Sequence, residues 1–492
     1  MNKQKLFLIA FIVAGLVGCT DFLVESPQQS LDLDQVLNNA EGLRGLVTGM
    51  YNATQDADIS GGNYNVIPEI MADNVVWTGS FTTYLDFHQH RMNPDNGNTV
   101  AWWTDSYVAI NLANIVLETV DQISDPTISD AQKNIWRGDA SFVRGMAYFE
   151  LARVYAKPWV PNGANTHLAV PVRTKPVKSS ADFENLPRNT MAEVFARADA
   201  DFKQAATLLP NERVRADRRA TSYSALGYLM RMEMVKQNYS AAADYAQQIV
   251  AGGFTLTAAP NGPFVTKFST ESVYEVAHLA TDNPGVNAGQ NAFYAPTANG
   301  GRGDIKISAA FVTAIGQIIT PAQQAAVGAA GGTATDLRRT TLLNGLVANT
   351  SGSLKFVNAT RDNNVLNLRY ADVLLTRAEA LAEQAASLAA VPAEVYTLVN
   401  TVRKRAITVT GGTATNALIE YGPASFASKQ ELIDAILLER RVELAFEGDR
   451  FYTLHRRGLS IQGDAPNSNS ITFPIPQQEI DANPNMVQNP GY

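Results

Sequence analysis

The sequence predicts a mostly α-helical protein made of stacked helix pairs, interrupted by two irregular stretches. Three observations lead there. Long segments repeat apolar residues every three or four positions, as a helix with one buried face requires. Pro, Gly and Asn clusters punctuate those segments where turns belong. And residues 219–251 form a unit of about 33 residues with alanines where two helices must approach closely. The chain has 492 residues, 46% of them hydrophobic, which is ample for a large core without disulfides, and its single cysteine can form none within the chain.

The N-terminus comes first. Lys3 and Lys5 precede an apolar run from Leu6 to Leu16, and Leu16-Val17-Gly18-Cys19 follows. This is the pattern of a secretory signal ending in a lipoprotein box, so residues 1–18 are expected to be removed. Cys19 then becomes the acylated first residue, its palmitate-type chains each contributing about 0.8 kcal/mol per buried CH₂. Removal takes two lysines and no acid, so the net charge of -8 becomes -10. That balance argues against nucleic acid as a partner. No later run of about 18 apolar residues would span a membrane.

Residues 19–30 read as a lipidated tether, and 31–492 as one body. A first helix is expected from Leu31 to about Ala53. Residues 60–98, with Gly61-Gly62, Pro68, Gly79, Pro94 and Gly97 among many aromatics, read as loops and short turns. Helical periodicity returns at 100–121 and at 130–156, where Trp136, Ala140, Val143, Ala147, Leu151 and Val154 share a face. Prolines mark 158–188 as connecting structure, and a helix fits 190–208 before Pro210.

In 219–251, Leu226, Leu229, Met230 and Met234 make one stripe. Asn238-Tyr239-Ser240 turns the chain, and Ala242, Ala243, Ala246 and Ile249 make the second stripe. The unit resembles a tetratricopeptide repeat. Further pairs fit 366–407 and 428–456, so helix pairs lie near 130–251 and 366–456. The Gly-, Asn- and Thr-rich stretch 254–364 reads as a loop-rich insert, and the proline-rich tail from Ile471 as extended chain packed on the body. Inserts 60–98 and 254–364 together are where a rigid scaffold would carry a ligand face.

Several segments carry a family resemblance. They are Cys19-Thr20-Asp21-Phe22-Leu23, residues 137–151 (RGDASFVRGMAYFEL), 368–380 (LRYADVLLTRAEA), 439–452 (ERRVELAFEGDRFY) and the end, with Pro474-Ile475-Pro476 and Asn489-Pro490-Gly491-Tyr492. In this order they resemble the SusD/RagB nutrient-uptake lipoproteins over nearly the whole chain. The resemblance implies a tetratricopeptide-like scaffold with an irregular ligand face. It also implies an outer-membrane lipoprotein facing the cell exterior, with a SusC-like TonB-dependent transporter as partner and an oligosaccharide, or in some members a peptide, as ligand.

A sugar site needs flat aromatic rings for C–H faces and amide, carboxylate or guanidinium groups for hydroxyls. The early insert offers Asp73, Asn74, Trp77, Phe81 and Tyr84, with Trp77 read as a loop residue before Thr78-Gly79-Ser80. The family resemblance points to a sugar-stacking tryptophan from this region. The second insert offers Phe293, Tyr294 and Arg302 as an opposing wall. Trp102 and Trp103, at helical spacing with Tyr107 and Ile110, are expected in the core. The charged run Arg440, Arg441, Glu443, Glu447, Asp449 and Arg450 is expected to form a structural ion-pair network tying the last repeat to the tail, and Arg369, Asp372 and Glu379 get the same reading.

Nothing implies a cofactor. Among the five histidines only His88 and His90 share a side, without a third metal ligand. No nucleophile elbow, phosphate loop or HExxH occurs, so a binding protein is expected and not an enzyme. Two other readings keep the helical scaffold: a peptide-binding uptake lipoprotein, and a repeat lipoprotein whose concave face binds a protein and no small ligand.

Overall fold

The computed structural model describes residues 39–56 and 58–492. Cys19, the tether and the start of the expected first helix lie outside those residues. The principal elements before the large insert are α1 (Ala40–Thr54), α2 (Gly62–Ile70), β1 (Val75–Trp77), α3 (Thr82–His88), α4 (Gly97–Gln122), α5 (Asp130–Tyr155), α6 (Met191–Leu208), α7 (Ser222–Lys236) and α8 (Tyr239–Val250). The insert contributes β2 (Ser272–Val276), α9 (Gln290–Tyr294), β3 (Ile305–Ile307), α10 (Ala309–Gly316), α11 (Pro321–Ala329) and β4 (Thr333–Asp336). Then come β5 (Val365–Arg369), α12 (Tyr370–Gln384), α13 (Ala393–Ala406), β6 (Ile407–Thr410), α14 (Lys429–Glu443), α15 (Asp449–Arg456) and α16 (Gln477–Ala482).

The scaffold is helical and tetratricopeptide-like. Several long helices start where a side chain satisfies a free backbone N–H: Ser129 caps α5, and Thr190 with Glu193 closes a capping box on α6. The α7–α8 turn puts Gln237 in the left-handed region and lets Asn238 cap α8. Small residues then bring helices together, with Ala242 and Ala246 of α8 fully buried where it packs on α12. At Gly227 of α7 a Cβ would lie 1.8 Å from Leu368 Cδ2, so the approach to β5 leaves room only for glycine.

Among the described residues three two-stranded antiparallel ladders form: β1 with β3 joins the two inserts to each other, while β2 with β5 and β4 with β6 tie the second insert to the scaffold. The tail is packed on the body as expected, but it is not all extended, since α16 lies within it. Phe473 is fully buried against Phe87, Trp102 and Tyr155, and its N–H donates to Val154. Trp102 and Trp103 are core residues.

Two expectations need correction. Residues 60–98 hold two helices and a strand, not only loops and turns. Every residue of α2 is buried, so the helix shows no one-sided stripe to read. Gly61-Gly62 opens this helix rather than breaking it: a Cβ at Gly62 would sit 1.8 Å from the Ala288 carbonyl.

The ion-pair network exists, but it does not run to the tail. Arg369 pairs with Glu443 (2.7 Å), Glu447 (2.8 Å) and Glu271 (3.3 Å). Arg338 pairs with Asp336 (2.8 Å) and Glu439 (2.6 Å), and Arg403 with Glu439 (3.0 Å). Burial raises the Glu443 carboxyl, but Arg405, Arg369 and Arg338 outweigh it and hold the group well below the usual carboxylate range. The network therefore joins α14 to the β2–β5 and β4–β6 ladders, because each buried carboxylate needs a cation and the arginines come from β5, from α13 and from the turn just after β4.

Candidate functional site

β1 runs antiparallel to β3, with Trp77 opposite Ile305. The Thr78 N–H donates to the Asp304 carbonyl at 2.7 Å and holds the chain there as it leaves the strand. Gly79 then folds back over the indole. A Cβ on it would lie 2.6 Å from the Trp77 ring and 2.8 Å from the Asp304 carboxylate. The fold-back starts α3, which delivers Tyr84 onto Trp77 with ring centroids 5.0 Å apart and an interplanar angle of 22°. From α9, Phe293 closes the group, 4.9 Å from Tyr84 and 6.1 Å from Trp77.

Arg302 lies across this layer. Its guanidinium carbon is 4.6 Å from the Phe293 centroid and 5.1 Å from the Phe81 centroid, within cation–π range. Asp304 fixes its Nε at 2.7 Å, and its Nη1 donates to the Val286 carbonyl. Phe81 alone among these aromatics is open to solvent, at 41% exposure, with its edge on Tyr84. The arrangement is a packed three-ring group with an exposed ring set edge-on to its Tyr84 and a clamped arginine beside it. The exposed ring offers a flat apolar face to solvent.

Beneath it runs a polar chain. The Tyr84 hydroxyl donates to Asn63 at 2.8 Å, and the Asn63 amide donates to Asp58 at 2.8 Å. Burial, and after it the Asp58 charge, pushes the Tyr84 phenol up. Asp58 stands with Asp56 and Asp105, their carboxylate oxygens all within 4.8 Å of one another. Burial pushes Asp58 up to about 7; the Asn63 amide pulls it back, and the Asp56 and Asp105 charges add to the rise.

The structure thus brings together Trp77, Phe81, Tyr84, Phe293 and Arg302, and separates Asp73, Asn74 and Tyr294 from them. Trp77 is not on a loop but at a strand end, only 6% exposed, so it supports the platform rather than forming its face. Tyr294 is fully buried against Phe356 and Phe446. Asp73 and Asn74 sit at the other end of β1. There Asp73 pairs with Arg450 (2.7 Å) and Arg441 (3.2 Å), and Asn74 accepts from Arg441 and donates to Glu69. Sequence reading missed Asn63 and Asp58, whose role depends on a contact with Tyr84 that no local pattern signals. Among the described residues no helix is long and apolar enough to cross a membrane.

Comparison with known proteins gives a consistent result. A family model described as "Starch-binding associating with outer membrane" matches residues 21–234, and one described as "SusD family" matches 338–463 and 459–492. Among curated proteins, SusD-like proteins P2 and P38 of Formosa agariphila are 23% and 24% identical, each comparison covering 100% of this chain and 100% and 99% of the relative. A solved SusD superfamily protein of Bacteroides thetaiotaomicron has a TM-score of 0.74 at 20% identity, covering 94% of this chain and 100% of that one. A SusD superfamily protein of Bacteroides fragilis has a TM-score of 0.72 at 21% identity, over 90% of this chain and 98% of that one. A solved laminarin-binding SusD-like protein has a TM-score of 0.69 at 21% identity, over 92% of this chain and 100% of that one. With the helical scaffold and the signature segments in order, the chain belongs to the SusD/RagB family.

Proposed function

We propose that this protein is a glycan-binding lipoprotein of the outer membrane. It is anchored through acylated Cys19 and faces the cell exterior. There it captures an oligosaccharide and passes it to a SusC-like TonB-dependent transporter, without catalysing a reaction on it. The observation that carries the reading is the exposed Phe81 ring, set edge-on to Tyr84 of the Trp77–Tyr84–Phe293 group and flanked by Arg302. A ring held this way stacks on the apolar face of a sugar, while the arginine donates to hydroxyls. Family membership and the laminarin-binding relative support a glucan as the first ligand to try.

The test is calorimetric titration of the protein from residue 20 onward with soluble glycans, laminarin oligosaccharides among them. A micromolar complex, worth about 8 kcal/mol, is expected with one of them. Phe81→Ala should weaken it by about tenfold or more, since aromatic anchors at a binding surface contribute well over 1 kcal/mol. No heat with any glycan, or heat unchanged in Phe81→Ala, would reject this site. Sugar release from the titrated glycan would reject the non-catalytic role.

A further inference from the structure

At the far end of β1 from the aromatic platform, a groove of about 800 Å³ opens between α11, the 418–426 segment and α14. Ligand pockets commonly measure about 300–1,000 Å³. Its walls include Gln317, Gln323, Tyr421 and Phe426, and Arg441 and Arg450 also line it. Phe426 packs edge-on to Tyr421 with centroids 5.1 Å apart, so half-buried aromatic surface and two amides face the same space.

The charge balance of the arginines is the unusual feature. Both guanidinium groups converge on one carboxylate, Asp73: Arg450 through Nε (2.7 Å) and Nη2 (3.0 Å), Arg441 through Nη2 (3.2 Å). Arg441 Nε goes to the neutral Asn74 amide at 2.8 Å, and Glu69 stands behind that amide, not against the guanidinium. The other acids of the groove do not correct the balance. Glu420 is tied to Lys404 at 3.4 Å, and Asp434, at the exposed rim, accepts from Gln430. Among the described residues no hydrogen bond uses Nη1 of either arginine. Burial, and then the neighbouring Arg450 charge, pushes Arg441 down to about 10, against the opposing pull of Asp73 and Glu69.

We propose that this groove is a second ligand site, separate from the Phe81 platform. It takes an acidic saccharide whose anionic group pairs with the unused edges of Arg441 and Arg450. A guanidinium fork matches a carboxylate or sulfate in two parallel hydrogen bonds. The Gln317 amide and the Phe426 ring then serve the hydroxyls and C–H face of the same sugar.

The experiment titrates the full chain with three probes: a uronic-acid trisaccharide, its fully methyl-esterified form and a sulfated disaccharide. Titrations are run at about 50 and 300 mM salt, where screening of the pair differs strongly. The expected result is heat with at least one acidic probe, falling with salt, and affinity at least about tenfold lower for the ester. Arg441→Gln should weaken the acidic complex. Ala326→Glu, an exposed groove position on α11 outside the Asp73 cluster, should do the same without disturbing the fold. Phe81→Ala should leave it unchanged, which separates this site from the platform. Equal binding of acid and ester, an unaffected Ala326→Glu, or loss in Phe81→Ala would each overturn the proposal.

Discussion

Replacing Asp58 with asparagine should make the protein more stable at pH 8 and leave it unchanged at pH 4. Asp58 is 7% exposed, and among the described residues the one side chain that donates to its carboxylate is Asn63, through its amide at 2.8 Å. Asp56 and Asp105 face it with the same charge. Burial, followed by those two charges against the Asn63 bond, lifts its carboxyl from 3.8 in the unfolded chain to about 7. The native state therefore holds a proton that the unfolded state gives up, and stability falls as pH rises between those two values. Above pH 7 the penalty is complete, at about 4 kcal/mol from roughly 1.4 kcal/mol per pH unit. Asparagine keeps the acceptor for Asn63, has no charge to desolvate, and can donate toward Asp56 and Asp105. Denaturant unfolding of both proteins from pH 4 to pH 8 measures the effect. The gap should be near zero at pH 4, open through pH 5–7 and flatten above. A gap independent of pH, or an asparagine variant weaker at pH 8, would refute the argument.

Other outcomes follow from packing and charge. Glu443→Gln leaves Arg369, Arg405 and Arg338 short of a buried partner and should cost about 3–5 kcal/mol at pH 7 in the same unfolding assay. Because the Glu443 carboxyl is held below its unfolded value, its contribution is present above about pH 4.5 and fades as pH falls further, so the two proteins should converge in acid. Gly227→Ala drives a Cβ to 1.8 Å from Leu368 Cδ2 and should destabilise by about 1–3 kcal/mol. Trp77→Ala removes the floor under Tyr84, so thermal melting should show a loss of about 3–5 kcal/mol alongside any loss of ligand heat.

Elements with one buried face were readable from the chain alone. α8 shows one, the Ala242–Ile249 stripe, after a clear turn. α5 from Gly138 to Tyr155 and most of α7 are buried all round, and it was their length and unbroken helical spacing of apolar residues that made them legible. α2 is buried all round as well, but its nine residues with Pro68 among them are too few to repeat a helical spacing. The site divides along the same line. That the two inserts supply aromatic and guanidinium groups was visible in Trp77, Phe81, Tyr84, Phe293 and Arg302, since composition travels with the sequence.

Which of them meets solvent was not visible. The β1–β3 ladder joins residues more than two hundred positions apart, and it turns Trp77 under Gly79 and leaves Phe81 outside. The same holds for the charged run after Glu439. Its residues announce ion pairs, but the partners at Arg338, Arg369, Asp372 and Asp73 arrive from distant parts of the chain. The sequence by itself determined the helical repeat, its turns and the family signatures, because those depend on spacing between neighbours. Only the tertiary structure decided exposure and charge pairing, because both depend on which distant groups exclude water.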